Sequence, residues 1–107
     1  MSDEISKREK SFEKSFENKE ELKFKAQSRA VKKLGAWAAN EMSMDDDASK
    51  NYIEALIDVS LGASGIAGAE KKVLADLKEK GVDSTEHHIH NQYQVFFDAA
   101  HSELMAG

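Results

Sequence analysis

Residues 30–42 read AVKKLGAWAANEM, and this stretch carries the pattern from which the fold is predicted. Its apolar residues recur at i, i+3, i+7 and i+11, the spacing of one helix face that packs in a bundle: Val31, Leu34, Ala38 and Met42. Trp37 lies beside this row, and we expect it to be a core residue because tryptophan supplies a large buried area with one polar tip. The core is predicted to begin around Phe24.

Three further helices are predicted downstream. Asp45–Asp47 offer N-cap residues and negative charge for the start of a second helix, which we expect to end near Leu61. Three glycines within Gly62–Gly68 predict a mobile connection to a short third helix that ends at Gly81. Asp83–Glu86 has the three-residue offset of a capping box and precedes the last helix. The predicted core residues of these helices are Tyr52, Ile53, Leu56, Ile57, Val59, Val73, Leu74, Leu77, Ile89, Tyr93, Phe96, Phe97, Ala100 and Leu104.

Composition supports one small helical unit. The chain has 107 residues, of which 40% are hydrophobic and 33% are charged, so it has room for one modest core. It contains no proline, which is the main helix breaker. It also contains no cysteine, and this excludes disulfides, thiolate metal sites and cysteine nucleophiles. We predict an all-α antiparallel four-helix bundle over residues 21–107, with a long first helix, and a flexible, helix-ready N-terminal arm over residues 1–20.

Targeting signals and charge limit the expected location of the protein and the class of its partner. No apolar run reaches the roughly 18 residues of a membrane span, and Met1–Glu4 lacks signal-peptide features, so we expect a cytoplasmic protein without membrane insertion. Residues 1–33 hold ten basic and seven acidic side chains, a net charge of +3. Residues 34–107 hold five and thirteen, a net charge of −8. The overall charge of −5 argues against nucleic acid as a partner.

The arm carries an apolar stripe for which the predicted bundle has no use. Its three large apolar residues lie at i, i+7 and i+11, and helices that dock in a partner's groove use anchors at this type of spacing. Three basic residues on the same segment would pair with acidic groups at the rim of the groove and accelerate encounter. The candidate partner-binding residues are Ile5, Arg8, Lys10, Phe12, Lys14 and Phe16. The alternative is that the two aromatic rings pack against the chain's own bundle.

Several blocks of sequence together resemble one known family. The blocks are Phe12–Phe16, Glu20–Ala26, Arg29, Lys32, Leu34–Gly35, Trp37–Ala39, Tyr52, Lys72–Val73, His87 and Ile89. Through them the chain is similar, over nearly its whole length, to the zeta inhibitor subunit of alphaproteobacterial rotary ATP synthases. Where an acidic residue commonly begins the third helix of that family, Gly68–Ala69 stand here, so we expect weaker capping of this helix.

The resemblance implies a regulatory function. The N-terminal segment of the protein would insert into the catalytic head of the synthase, which is formed by alpha, beta and gamma subunits, and would block rotation in the direction of ATP hydrolysis. Membership would make the protein peripheral on the membrane-bound synthase. We expect a monomer when it is free and no cofactor. Because no acid pair, activated nucleophile or cofactor loop is found among its residues, we do not expect an enzyme.

Other functions compete with inhibition. The acidic body would suit a helical adaptor that binds a cytosolic protein, with the arm as a solubilising tail. His87 and His90 at i, i+3, near His88 and His101, invite a metal-binding function, although a helix's first turn is also a common place for solvated polar residues.

A basic group on the first helix also has two interpretations. Arg29, Lys32 and Lys33 lie at i, i+3 and i+4 and therefore share a helix face. They form either a solvated surface or a contact with phosphate or an acidic partner.

Overall fold

Within residues 2–106, the computed structural model of the chain contains four α-helices. It describes the backbone of residues 2–106 and the side chains of residues 19–106. The helices are α1 (Ser2–Glu41), α2 (Asp46–Leu61), α3 (Gly65–Glu79) and α4 (Glu86–Ala106), and the described residues contain no strand. The predicted all-α helical bundle is confirmed.

The long helix α1 organises the bundle. It packs against α2, α3 and α4, whereas α2 contacts α3 and α3 contacts α4. Residues 42–45, 62–64 and 80–85 connect the helices. Because these connections are short and consecutive helices pack together, each helix runs antiparallel to the next one along the chain. At Gly35, an added Cβ would lie 3.1 Å from Ile53 Cγ1, so the missing side chain lets α1 and α2 approach closely.

Seven of the fourteen core residues predicted in the later helices are buried, and the other seven, Ile53 and Leu104 among them, are partly buried. The core lies between the four helices. It consists of Ala30, Val31, Leu34, Ala38, Ala39, Met42, Tyr52, Leu56, Ala69, Val73, Leu77, Ile89 and Tyr93. Trp37 departs from its prediction, because it is only partly buried at the margin of this core. Its ring centroid lies 5.7 Å from that of His88, which is exposed. The indole therefore packs beside the first turn of α4 and not among the central side chains.

The connection around α2 follows the predicted caps. The Asp45 side chain accepts a hydrogen bond of 2.8 Å from the Ala48 N–H, as expected of an N-cap, and acidic residues follow in the first turn. At the end of α1, Ser43 adopts φ 55°, and the N–H groups of Ser43 and Met44 donate to carbonyls of the last turn. The helix therefore closes with a left-handed residue that is not glycine.

The two later connections differ in part from their predictions. Gly65, with φ 58°, already begins α3, so only residues 62–64 of the predicted Gly62–Gly68 connection lie outside helices. The Ser64 side chain makes no cap hydrogen bond and the first turn of α3 has no acidic residue, which confirms the expected weak capping. Gly81, with φ 77°, ends α3 as predicted. Thr85 caps α4, because its Oγ1 accepts from the His88 N–H at 3.1 Å; the predicted capping box starting at Asp83 is therefore wrong.

None of the helices, as far as the residues are described, has the length and apolar character needed to cross a membrane.

Candidate partner-binding surface

All six residues predicted to bind a partner belong to the first part of α1. Their side chains lie outside the described residues: Ile5, Arg8, Lys10, Phe12, Lys14 and Phe16. Their assignment therefore stays a prediction. The described side chains of the same helix begin at Lys19.

The described part of α1 changes character at Ala26. From Lys19 to Lys25 no side chain is buried, whereas Ala26 and Ala30 are fully buried. Phe24 itself is 57% exposed, and the core that was predicted to begin around this residue starts two residues later, at Ala26. The reason is helical geometry: residues two apart point to nearly opposite sides of a helix, and Ala26 holds the side that faces the bundle. The bundle thus begins at a pair of small residues instead of an aromatic ring.

Phe24 belongs to an apolar surface that spans two helices and a connection. It lines a hollow of about 290 Å³ together with Val31, Leu61 and Ile66, next to the end of α2 and the start of α3. Leu61 is 61% exposed, Ile66 is partly buried, and Val31 is buried. We call these four residues the Phe24–Leu61 patch. Lys19, Glu20 and Lys23 line an adjoining hollow that also includes Phe24.

The basic group on α1 is tied to α4. Glu103 lies 3.7 Å from an Arg29 nitrogen and 3.9 Å from Lys33 Nζ, and all three side chains are about half exposed. Lys32 is exposed. Pairing within the chain engages two of the three basic residues, and a contact of this group with an acidic partner stays a prediction.

The four histidines are engaged in separate contacts. His90 Nδ1 lies 2.9 Å from Glu70 Oε1 and thereby joins α4 to α3, while His87 Nε2 lies 3.2 Å from the Asn91 amide nitrogen. His101 stacks on Phe97 with ring centroids 5.8 Å apart, and His88 packs on Trp37. Within residues 19–106, no group of three or more histidine and carboxylate side chains is arranged to hold a metal ion. The structure therefore offers no support for the metal-binding alternative.

A polar cluster joins α2 to α3 through a residue that the sequence suggested only as core. The Tyr52 hydroxyl donates to Asp76 Oδ2 at 2.8 Å, and Lys72 Nζ lies 3.1 Å from the same oxygen. Lys72 Nζ also lies 5.4 Å from the centroid of the Tyr52 ring. Burial, and then the hydrogen bond and charge of Asp76, raise the pKa of Tyr52 above its ordinary value. A tyrosine seven residues after an N-cap does not by itself predict its partner on another helix.

The second tyrosine titrates high for a related reason. Tyr93 on α4 is 6% exposed and belongs to the core. Burial, followed by the nearby Glu70 carboxylate, raises the pKa of Tyr93 to about 12. Both tyrosines therefore hold the bundle together as neutral side chains.

Comparison with known proteins identifies the family. The family model described as ATPase inhibitor subunit zeta matches residues 1–103, a span that includes the six predicted binding residues and all of the described core. Searches of curated proteins and of solved structures give no match. Because the family match covers almost the entire chain, which also folds as the expected helical bundle, the protein belongs to the ATPase inhibitor subunit zeta family.

Proposed function

We propose that this protein inhibits ATP hydrolysis by a rotary ATP synthase, and that residues 1 to about 20 enter the catalytic head as a helix. The observation that carries the proposal is the course of α1, which is helical from Ser2 to Glu41 but contributes no buried side chain between Lys19 and Lys25. Before Ala26 the helix therefore continues for at least seven residues that place no side chain in the core. Such an extension suits insertion into a partner.

The apolar stripe would supply the binding energy. Complete burial of Ile5, Phe12 and Phe16 contributes about 1.5 to 3 kcal/mol each. A segment that is already helical loses less conformational entropy on binding than one that must fold, so more of this energy is retained as affinity. Arg8, Lys10 and Lys14 would steer the arm toward an acidic rim and make the association rate fall as salt rises.

Inhibition of this kind requires no chemistry from the inhibitor. A helix lodged between alpha, beta and gamma subunits opposes any movement of these subunits against one another. The bundle would stay outside the groove, which places the protein on the periphery of the membrane-bound synthase. This mechanism agrees with the structural contacts of the described His90, which pairs with Glu70, and of Asp45, which caps α2.

The test is to add the full-length protein to the purified synthase from its own source and to measure ATP hydrolysis. We expect saturable inhibition. Deletion of residues 1–18 removes most of the arm and leaves in place every residue that is buried within 19–106, so the variant should keep its helical circular dichroism and lose inhibition. Hydrolysis that is unchanged at a large excess of the intact protein would contradict the proposal.

A helical adaptor is the second candidate, and the acidic body is the observation that favours it. Residues 34–107 carry a net charge of −8, which suits a basic partner surface. The same deletion of residues 1–18 separates the two functions, because an adaptor keeps its partner when the arm is removed and the inhibitor does not.

A further inference from the structure

We propose that the Phe24–Leu61 patch is a second contact surface for the catalytic head, pressed against the rim of the groove that the arm enters. This inference rests on the proposed function. The occupant to which we commit is an apolar surface of the head that is flanked by carboxylates.

The first argument is the arrangement of exposed apolar side chains. Among the described residues, large hydrophobic side chains are exposed at Phe24, Leu61, Val95 and Met105. Phe24 and Leu61 come from different helices and yet line the same hollow, whereas Val95 and Met105 lie on α4 and are not among the residues that line it. Singly scattered apolar residues are normal on a protein surface, but a pair that converges on one hollow offers a contiguous contact area.

The second argument is position along α1. Phe24 follows Phe16 by eight residues, which is about 12 Å along a helix. No glycine or proline occurs between Ser2 and Leu34, so this part of α1 contains no residue that favours a bend. A head that holds the arm as far as Phe16 therefore has its outer surface within about 12 Å of Phe24. Along the described part of α1, Phe24 is the first exposed large apolar side chain that such a surface meets.

The third argument is charge. Lys19 and Lys23 lie beside Phe24, with Glu20 as the acidic residue of the same hollow. The remainder of the bundle, residues 34–107, carries a net charge of −8 and would repel a carboxylate-bearing surface. The end of the bundle with the patch is thus the end at which an acidic rim approaches most favourably.

The experiment compares three single substitutions in the full-length protein. Phe24→Ser and Leu61→Ser alter the patch, and Val95→Ser is the matched control, because these side chains are 57%, 61% and 62% exposed. Thermal unfolding should be nearly unchanged in all three. We expect the two patch variants to raise the half-inhibitory concentration by about tenfold while full inhibition is still reached at saturation, and the control to match the wild type.

The outcomes separate this inference from the function on which it rests. If the wild type inhibits and both patch variants inhibit equally well, the second contact surface is disproved while the inhibitory function stands. If the wild type does not inhibit, both are overturned. A wild-type dimer that Phe24→Ser converts to a monomer, measured by light scattering, would assign the patch to a second copy of the chain and overturn the inference.

A second measurement removes any dependence on stability. A photoreactive phenylalanine analogue placed at position 61 should form a covalent adduct with a subunit of the head, and the same group at position 95 should not. Adducts at neither position, or equally at both, would overturn the proposed surface even where inhibition is intact.

Discussion

The two described parts of α1 differ although they form one continuous helix. From Ala26 onward, buried residues recur along the face that packs against α2, α3 and α4. From Lys19 to Lys25, by contrast, the described support is local, such as the ion pair of 3.5 Å between Lys25 and Glu21. Pairs of this kind contribute about 0.2 to 0.5 kcal/mol each, far less than burial of a large apolar side chain. Between Lys19 and Lys25, α1 thus continues without the buried side chains that stabilise it from Ala26 onward.

This difference explains why stability and function should respond to different substitutions. The bundle is stabilised by contacts within the chain, so its substitutions should change the free energy of unfolding. The arm is proposed to gain its contacts from a partner, so its substitutions should change affinity. Measurements that report the two quantities separately test this division.

The largest effect is expected from Phe12→Ala combined with Phe16→Ala. Loss of two ring contacts should weaken inhibition by about a hundredfold or more, because each buried phenylalanine contributes about 1.5 to 3 kcal/mol. The melting temperature should change little. The control is Phe97→Ala, which removes a ring packed against the core and should lower the melting temperature. A large loss of stability in the double variant would show that both rings pack against the chain's own bundle.

The next effect concerns two leucines of α2. Leu56 is fully buried and Leu61 is 61% exposed. Leu56→Ala should lower the free energy of unfolding by about 2 to 5 kcal/mol, since it leaves a cavity, whereas Leu61→Ala should change it by less than about 0.5 kcal/mol. Denaturant unfolding followed by circular dichroism measures both values. Equal losses for the two variants would mean that Leu61 is also part of the core.

The sequence predicted the helices well because the apolar spacing is regular and proline is absent. Val31, Leu34 and Ala38 share a face with the period of a helix, and they are buried as expected. The predicted start of the core, around Phe24, was accurate only to two residues, because Ala26 holds the inward side of α1 and Phe24 is exposed. Ser43 gave no signal either, since nothing in its residue type favours a positive φ.

The candidate site was less predictable from sequence than the fold. The stripe of the arm follows from spacing, but the Phe24–Leu61 patch depends on two residues 37 positions apart that come together only when α1 and α2 pack. The Tyr52–Asp76 hydrogen bond has the same origin, because its partners lie on different helices. Periodicity describes one helix at a time and carries no information about which side chains meet between helices.

Alkaline titration tests how tightly the bundle encloses its tyrosines. An unfolded chain loses its tyrosine protons near pH 10, whereas burial beside Glu70 raises the pKa of Tyr93 to about 12 in the folded chain. The stabilisation is therefore complete below pH 10 and is lost as the pH rises through about 12. In a Tyr52→Phe variant Tyr93 is the remaining tyrosine, so tyrosinate absorbance reports it directly. Glu70→Gln should lower the pKa of Tyr93. A titration midpoint of Tyr93 near pH 10 with Glu70 intact would contradict the burial of this side chain in the bundle.

The smallest effect is expected where α1 meets α4 at the surface. Glu103→Gln removes the carboxylate beside Arg29 and Lys33, and it should cost less than about 1 kcal/mol because all three side chains are about half exposed. Glu54→Gln makes the same change in charge on α2, at an exposed residue, and serves as the control. Inhibition should be equal in both variants if this basic group belongs to the bundle. If Arg29 and Lys33 instead bind the head, loss of Glu103 releases them, and the half-inhibitory concentration should fall for Glu103→Gln alone. That result would extend the partner-binding surface past Ala26. It would contradict the division of α1 at this residue into a partner-binding part and a part that only stabilises the bundle.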